Sequence, residues 1–201
     1  MSRYGASMGA GDRWNERYTQ GFEPFPDLPA AWLVEHRELL SGGGRALDVA
    51  CGDGRNALYL ARCGYEVDAI DASDVAIDAL RAAAQERGLQ IAPRVVDLER
   101  EPLPDGPYDA IVTTNFLQRD LFGPLQQALA PGGLLFYETL GQAHVVQLGR
   151  SFNPAYLLEE GELLRAFGDL EVIDHFEGVA ERSGGERGVQ SIVVRRPHDD
   201  H

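Results

Sequence analysis

Leu47-Asp48-Val49-Ala50-Cys51-Gly52-Asp53-Gly54-Arg55-Asn56 runs from a short apolar segment through two glycines into a helix-forming stretch. Ala46 to Val49 is too short for a helix and is closed by small residues, so it predicts a buried strand of a parallel sheet. Behind the loop, Ala57, Leu58, Leu60 and Ala61 recur at helical spacing until Gly64 stops them. Gly52 and Gly54 carry no Cβ to hold a ligand off the backbone, and the helix start offers unpaired N–H groups. A nucleotide-like cofactor is expected here.

The spacing Gly52-x-Gly54-x-x-Ala57 also fits a dinucleotide-binding loop. Asp48 separates the two readings. A carboxylate in the same mouth opposes a pyrophosphate, whereas the sulfonium and ammonium of S-adenosylmethionine would be drawn to it. The competing structural role for Asp48 is the capping of a neighbouring turn.

A chain of 201 residues with 44% hydrophobic composition predicts one globular domain with a sizeable core. Its net charge of −14 argues against a nucleic-acid backbone as partner, because phosphate binding needs a basic footprint. Met1 to Arg13 lacks the apolar core of a signal peptide, and no run reaches the length of a membrane span. Cys51 and Cys63 give neither a disulfide framework nor metal-ligand spacing, so no metal and a cytoplasmic location are expected. Whether the chain is a monomer or a homodimer is left open.

Residues 1–11 predict an unstructured leader, 12–41 a helical lid, 42–196 the main domain and 197–201 a tail. In the lid, Trp14 and Tyr18 share one helix face, fit either to dock the segment or to close over a cofactor. A proline-broken stretch, Phe22 to Pro29, precedes a helix predicted over Leu28 to Leu40. Tyr65 to Asp71 reads as a second strand tipped by an acid, and Asp71 stands about 20 residues past the loop, where a carboxylate can accept ribose hydroxyls. Ser73 is the expected cap of the helix that runs to Gly88. A third strand, Gln90 to Val96, ends at Asp97-Leu98, placed to accept from an adenine amino group and to pack on the ring, with a solvated turn as the alternative. Tyr108 to Phe116 is the fourth strand, and Leu134 to Thr139, after Pro131-Gly132-Gly133, the fifth. A helix is predicted over Pro154 to Phe167. The last two strands, Leu170 to Gly178 and Gly188 to Arg195, are joined by a polar turn too short for a crossover helix, so the sheet should finish in an antiparallel hairpin.

This order of elements and these strand-end residues resemble the class I S-adenosylmethionine-dependent methyltransferases across Arg45 to Arg196. The resemblance implies a Rossmann-like doubly wound α/β sheet of about seven strands, mostly parallel, in the order 3-2-1-4-5-7-6. More narrowly, Gly52-x-Gly54-Arg55-Asn56-Ala57-Leu58-Tyr59-Leu60-Ala61 and Trp14 to Tyr18 look like the tellurite-resistance and thiopurine-type enzymes. It further implies that Asp48, Ala50, Gly52 and Gly54 line the methionine end of the cofactor. Asp71 would take the ribose, Asp97 and Leu98 the adenine, and Asn115 the cleft, with Trp14 and Tyr18 closing over them; Asn56 and Ala72 are further cofactor-binding candidates. Ala50 stands where many members carry glycine. Strand four exits as Thr114-Asn115-Phe116-Leu117, without the Asn/Asp-Pro-Pro-aromatic motif of enzymes that methylate exocyclic or amide nitrogens.

Methyl transfer from a sulfonium is an in-line displacement that rests on alignment and exclusion of water, so a thiol or chalcogen acceptor needs no catalytic base. Arg119, Glu138, Arg150 and Asn153, which follow strands four and five, are the candidates for acceptor contact, the arginines being suited to an anion. Among the histidines only His144 falls in a cleft loop, and it reads as a surface residue. The expected function is methyl transfer from S-adenosylmethionine to a small-molecule acceptor, yielding S-adenosylhomocysteine. A non-catalytic S-adenosylmethionine-binding protein and an NAD(P)-dependent oxidoreductase remain as alternatives.

Overall fold

Successive side chains of a strand point to opposite faces, so a central strand with apolar residues on both faces must be covered on both. The computed structural model describes residues 9–20 and 28–198, and its first strand, β1 (Gly44–Val49), behaves this way. Ala46 enters one core with Val67, Leu60, Ile77 and Leu80, while Leu47 and Val49 enter the other with Ile111, Leu125 and Phe167. Helices α3 (Arg55–Arg62) and α4 (Asp74–Arg87) supply the first face; α5 (Phe122–Ala128) and α7 (Glu162–Phe167) supply the second.

Strands β2 (Tyr65–Asp71), β3 (Ile91–Val95), β4 (Tyr108–Thr114) and β5 (Leu129–Leu140) pair in parallel around β1. β7 (Gly185–Arg195) then runs antiparallel between β5 and β6 (Glu171–Arg182), giving the seven-strand order 3-2-1-4-5-7-6. The expected hairpin is longer than the sequence pattern indicates, because both strands extend to a tight turn at Ser183-Gly184. This extension carries the hairpin tip past the carboxyl ends of β4 and β5, where ligands of open parallel sheets bind.

Ser73 caps α4 by accepting the Ala76 N–H, and Gly88 closes it in the left-handed conformation. Two expected helices are interrupted. The one predicted over 28–40 splits into α2 (Ala31–Glu35) and a 3-10 turn, Arg37–Leu39, at His36, whose ring contacts the Trp32 carbonyl and the Asp174 carboxylate on β6. The one predicted over 154–167 is only a 3-10 turn, Pro154–Tyr156, followed by extended Leu157 and Leu158. The Leu158 N–H donates to the Leu140 carbonyl, and Gly161 at φ 63° restarts the chain into α7. Buried Leu157 and Leu158 thus override the helical spacing of their neighbours. Pro131-Gly132-Gly133 lies inside β5 and is bonded to Arg196 through backbone groups.

The helix α1 (Ala10–Thr19) starts within the expected leader; residues 1–8, most of the proline-broken stretch and the last three of the tail lie outside the described residues. Among the described residues no helix is long and apolar enough to cross a membrane.

Between β1 and the glycine loop, Ala50 turns at φ 53°. An L-residue in that region costs about 1–2 kcal/mol, whereas glycine there costs the unfolded chain only about 0.4–1 kcal/mol of additional entropy. Ala50→Gly is therefore expected to raise the melting midpoint by about 1–4 °C, and Ala50→Val to lower it. A lowered midpoint for the glycine variant in a thermal melt would show that the turn holds no such strain.

Candidate functional site

Asp48 is 1% exposed, and its Oδ2 accepts the Ala57 N–H in the first turn of α3 at 2.8 Å. Its capping role is thus real, and the carboxylate lies beneath the loop. Burial, with Asp71 and Asp53 adding like charge, pushes its pKa up to about 7 despite the Ala57 hydrogen bond and nearby Arg55. Asp71 bridges two elements: Oδ2 accepts the Gly52 N–H and Oδ1 the Ser73 N–H, each at 2.9 Å. Burial raises its pKa also, against those backbone hydrogen bonds.

Both loop glycines take left-handed φ, and the space each leaves is filled from within the protein. A Cβ on Gly54 would lie 2.2 Å from the Leu80 side chain, so this glycine lets α4 pack close rather than admitting a ligand, as its sequence spacing suggests. A Cβ on Gly52 would lie 2.6 Å from the Tyr18 hydroxyl. Tyr18 thereby comes to rest on the loop, where burial, Asp71 and Asp53 raise its phenol pKa.

Three contacts hold α1 there. Gly11 packs so close to the Ala72 carbonyl that a Cβ would be 2.6 Å away. Asn15 Oδ1 accepts from the Ser73 hydroxyl at 2.6 Å, and Arg13 pairs with Glu99 at 2.9 Å. Trp14 and Tyr18 face one another at 6.4 Å, with Arg17 stacked over Trp14. The helix therefore roofs the carboxyl ends of β1 and β2 and reaches the segment after β3. There the Asp97 carboxylate accepts the Glu99 N–H and pairs with Arg100, while Leu98 packs against the second core.

Buried Asn56 is a strut rather than a cleft-facing group: its amide donates to the Thr114 hydroxyl and accepts the Ala30 N–H. Asn115, at φ 56°, accepts from Arg187 at 3.1 Å and donates its N–H to the Glu138 carbonyl. Beside it lies a small cleft of about 10 Å³, lined by Arg55, Asn115, Glu138, Arg182, Arg187 and Val189. Glu138 is 7% exposed; Arg182 Nε lies 3.1 and 3.0 Å from its two oxygens, and the Ser191 hydroxyl donates to it at 2.6 Å. Burial lowers the pKa of Arg55 and of Arg187, the latter also through neighbouring Arg150.

Of the four acceptor candidates, Glu138 alone lines this cleft. Arg119 forks onto Glu162 at 2.6 and 2.9 Å and donates to the Ala155 and Leu157 carbonyls, so it fastens the start of α7. Asn153 caps the turn at Pro154 through the Ala155 N–H, and Arg150 donates to the Glu186 carbonyl at the hairpin. His144, expected at the surface, is buried. Sequence reasoning missed Arg55, Arg182 and Arg187. The available signal was Arg182-Ser-Gly-Gly-Glu-Arg187, a turn bracketed by arginines at the end of the sheet where ligands gather.

Comparison with known proteins agrees with this geometry. A family model described as a methyltransferase domain matches residues 46–133. The ubiquinone biosynthesis O-methyltransferase of Caulobacter sp. (strain K31) is 33% identical over 106 residues, 50% of this chain and 42% of that protein. The probable S-adenosyl-L-methionine-dependent methyltransferase TehB of Haemophilus influenzae (strain 10810) is 27% identical over 144 residues, 68% of this chain and 49% of that protein. The chain thus spans about half the length of these curated relatives. The crystal structure of TehB from Haemophilus influenzae superposes with a TM-score of 0.74 at 21% identity, covering 90% of this chain and 67% of that one. By its sheet order and its structural neighbours the chain has the class I methyltransferase fold, and over residues 46–133 and in these relatives it is similar to S-adenosylmethionine-dependent methyltransferases.

Proposed function

We propose that the protein transfers a methyl group from S-adenosylmethionine to a small, anionic acceptor held in the arginine-lined cleft. One observation carries this reading: an acid-ringed loop and a guanidinium-lined cleft meet at one edge of the sheet, with Arg55 between them. Asp48, Asp53 and Asp71 act on one another at the loop, a donor set that suits a cationic ligand and opposes a pyrophosphate. When bound, S-adenosylmethionine supplies an activated methyl on sulfur. The residues hold and orient: Asp71 offers its remaining lone pairs to ribose hydroxyls, Tyr18 and Trp14 cover the loop, and Leu98 offers an apolar wall. In the cleft, guanidinium charges made costly by burial favour an anion, and Glu138 occupies Arg182. A thiolate or chalcogen anion is already nucleophilic, so exclusion of water and alignment suffice. The two cysteines are free thiols, and we place the enzyme in the cytoplasm.

Cationic cofactor should bind best when Asp48 is ionised. Affinity for S-adenosylmethionine is therefore expected to fall about tenfold from pH 8 to pH 6 by titration calorimetry, and to lose most of that dependence in Asp48→Asn. The folded pKa of Asp48 lies above its ordinary value of 3.8, so folding binds a proton there and the group's contribution to stability declines as pH rises from about 4 to 7. Asp48→Asn, which keeps an acceptor for the Ala57 N–H, should then melt at least about 2 °C higher at pH 8 while binding the cofactor more weakly. An Asn variant that melts lower would contradict a strained carboxylate.

Acceptor charge is tested with 2-mercaptobenzoate against thiophenol. A charge-assisted hydrogen bond contributes about 1.5–3 kcal/mol, so kcat/KM should favour the carboxylated thiol by about 10- to 100-fold. Arg187→Gln should remove that preference. Equal turnover of both thiols would refute recognition of an acceptor carboxylate by the arginines, and cofactor binding without methylation of any thiol would favour a non-catalytic binding protein.

A further inference from the structure

Arg187 reaches Asn115 from a stretch of β7 that is gripped on both sides by the chain after β5. Gly188 donates its N–H to His144 Nδ1 at 3.3 Å, and its carbonyl accepts the Gly141 N–H at 3.0 Å. One residue before Arg187, the Glu186 carbonyl accepts from Arg150 at 2.6 Å. The helix α6 (Ala143–Val146) lies so close that a Cβ on Gly188 would be 1.9 Å from the His144 backbone nitrogen. His144 is 8% exposed, and its ring stands edge-on to Phe152 at 6.0 Å. Because Nδ1 accepts the Gly188 N–H, the ring proton resides on Nε2. The charged groups acting on the ring are Arg150, from the loop after α6, and Arg187 itself; opposite Gly188, β6 presents Val179.

We infer that neutral His144 is the positioning residue for Arg187, and that protonation of His144 releases this part of the hairpin and withdraws Arg187 from the cleft. A proton on Nδ1 would turn an acceptor into a donor facing the Gly188 N–H, and would set a third positive charge beside two guanidiniums. Burial first, then Arg150 and Arg187, already holds the histidine below its ordinary value of 6.5. The clamp is thus complete at neutral pH and opens only below that value. Its consequence for turnover rests on the cleft being the acceptor site; the clamp itself does not.

The test is nuclear magnetic resonance of the full chain. The Gly188 amide and the Arg187 Nε–Hε are followed from pH 8 to pH 5 in the wild type and in His144→Asn, whose amide oxygen can take the place of Nδ1 without titrating. In the wild type both resonances should move with one shared midpoint below 6.5; in the variant both should stay near their wild-type positions at pH 8 throughout. Arg187 remaining still while Gly188 titrates, or titrating equally in the variant, would overturn the inference. The KM for 2-mercaptobenzoate should rise severalfold between pH 7.5 and 5.5 in the wild type and change less in His144→Asn. Failure of the protein to methylate any thiol would count against the proposed function, while the spectra would still decide the role of His144.

Discussion

Two partly coupled carboxylates hold the mouth of the sheet together. Asp48 takes the N–H of Ala57 in the first turn of α3, and Asp71 takes one N–H from the glycine loop and another from the start of α4. These are donors that a helix start or a left-handed turn leaves without a partner, and inside the protein each would be costly unbonded. By satisfying them from the ends of β1 and β2, the fold fixes the loop without help from a ligand. The cost is electrostatic, since three acids gather where burial already disfavours charge. A site that concentrates negative charge against its own stability has a standing preference for a cation, which is the general relation between strained sites and function.

The opposite charge is assembled by topology. β7 is the strand that runs against its neighbours, so its first residues, not its last, lie at the carboxyl edge beside β4 and β5. Arg187 and, across the turn, Arg182 are delivered there together. Arg182 is spent largely on Glu138, which is itself held by Ser191 from the middle of β7. A buried bidentate pair of this kind contributes little net stability but fixes geometry, and it aligns the hairpin with β5 in one register. Arg187 reaches the cleft from the adjoining edge, restrained by Asn115 and by the backbone clamp at Gly188.

How much of this was legible in the sequence depends on whether the signal was local. Strand order, the glycine loop, the Ser73 cap and the final hairpin all follow from periodicity, turn chemistry and family resemblance, and all are present in the structure. Interruptions at His36 and at Leu157-Leu158 were not legible, because a contact with β6 and pairing with residues 140–142 outweigh helical spacing that is intact in the sequence. The spacing of Gly54 points to a ligand loop, while the close approach of Leu80, 26 residues on in the chain, is invisible in the local sequence. Arg119 follows β4 and so reads as a rim residue; its partner Glu162 is set by the packing of α7, which the local sequence does not show. Charged side chains are the least legible class, since a partner far along the chain decides whether they face ligand or protein.

The two halves of the site differ in what their charges can contribute. In the proposed reaction an ion pair between a cationic donor and an anionic acceptor would be lost as the methyl group moves, so any residue that stabilises the separate charges would also stabilise the state before transfer. Strong, unopposed fields from the acids and the arginines would therefore favour binding over reaction. The geometry limits both. Asp48 is directed at a helix N–H from beneath the loop, and Arg182 is paired with Glu138, so neither charge stands unopposed. Arg187 is the arginine whose charge burial and Arg150 disfavour. An anionic group beside it would offset that penalty.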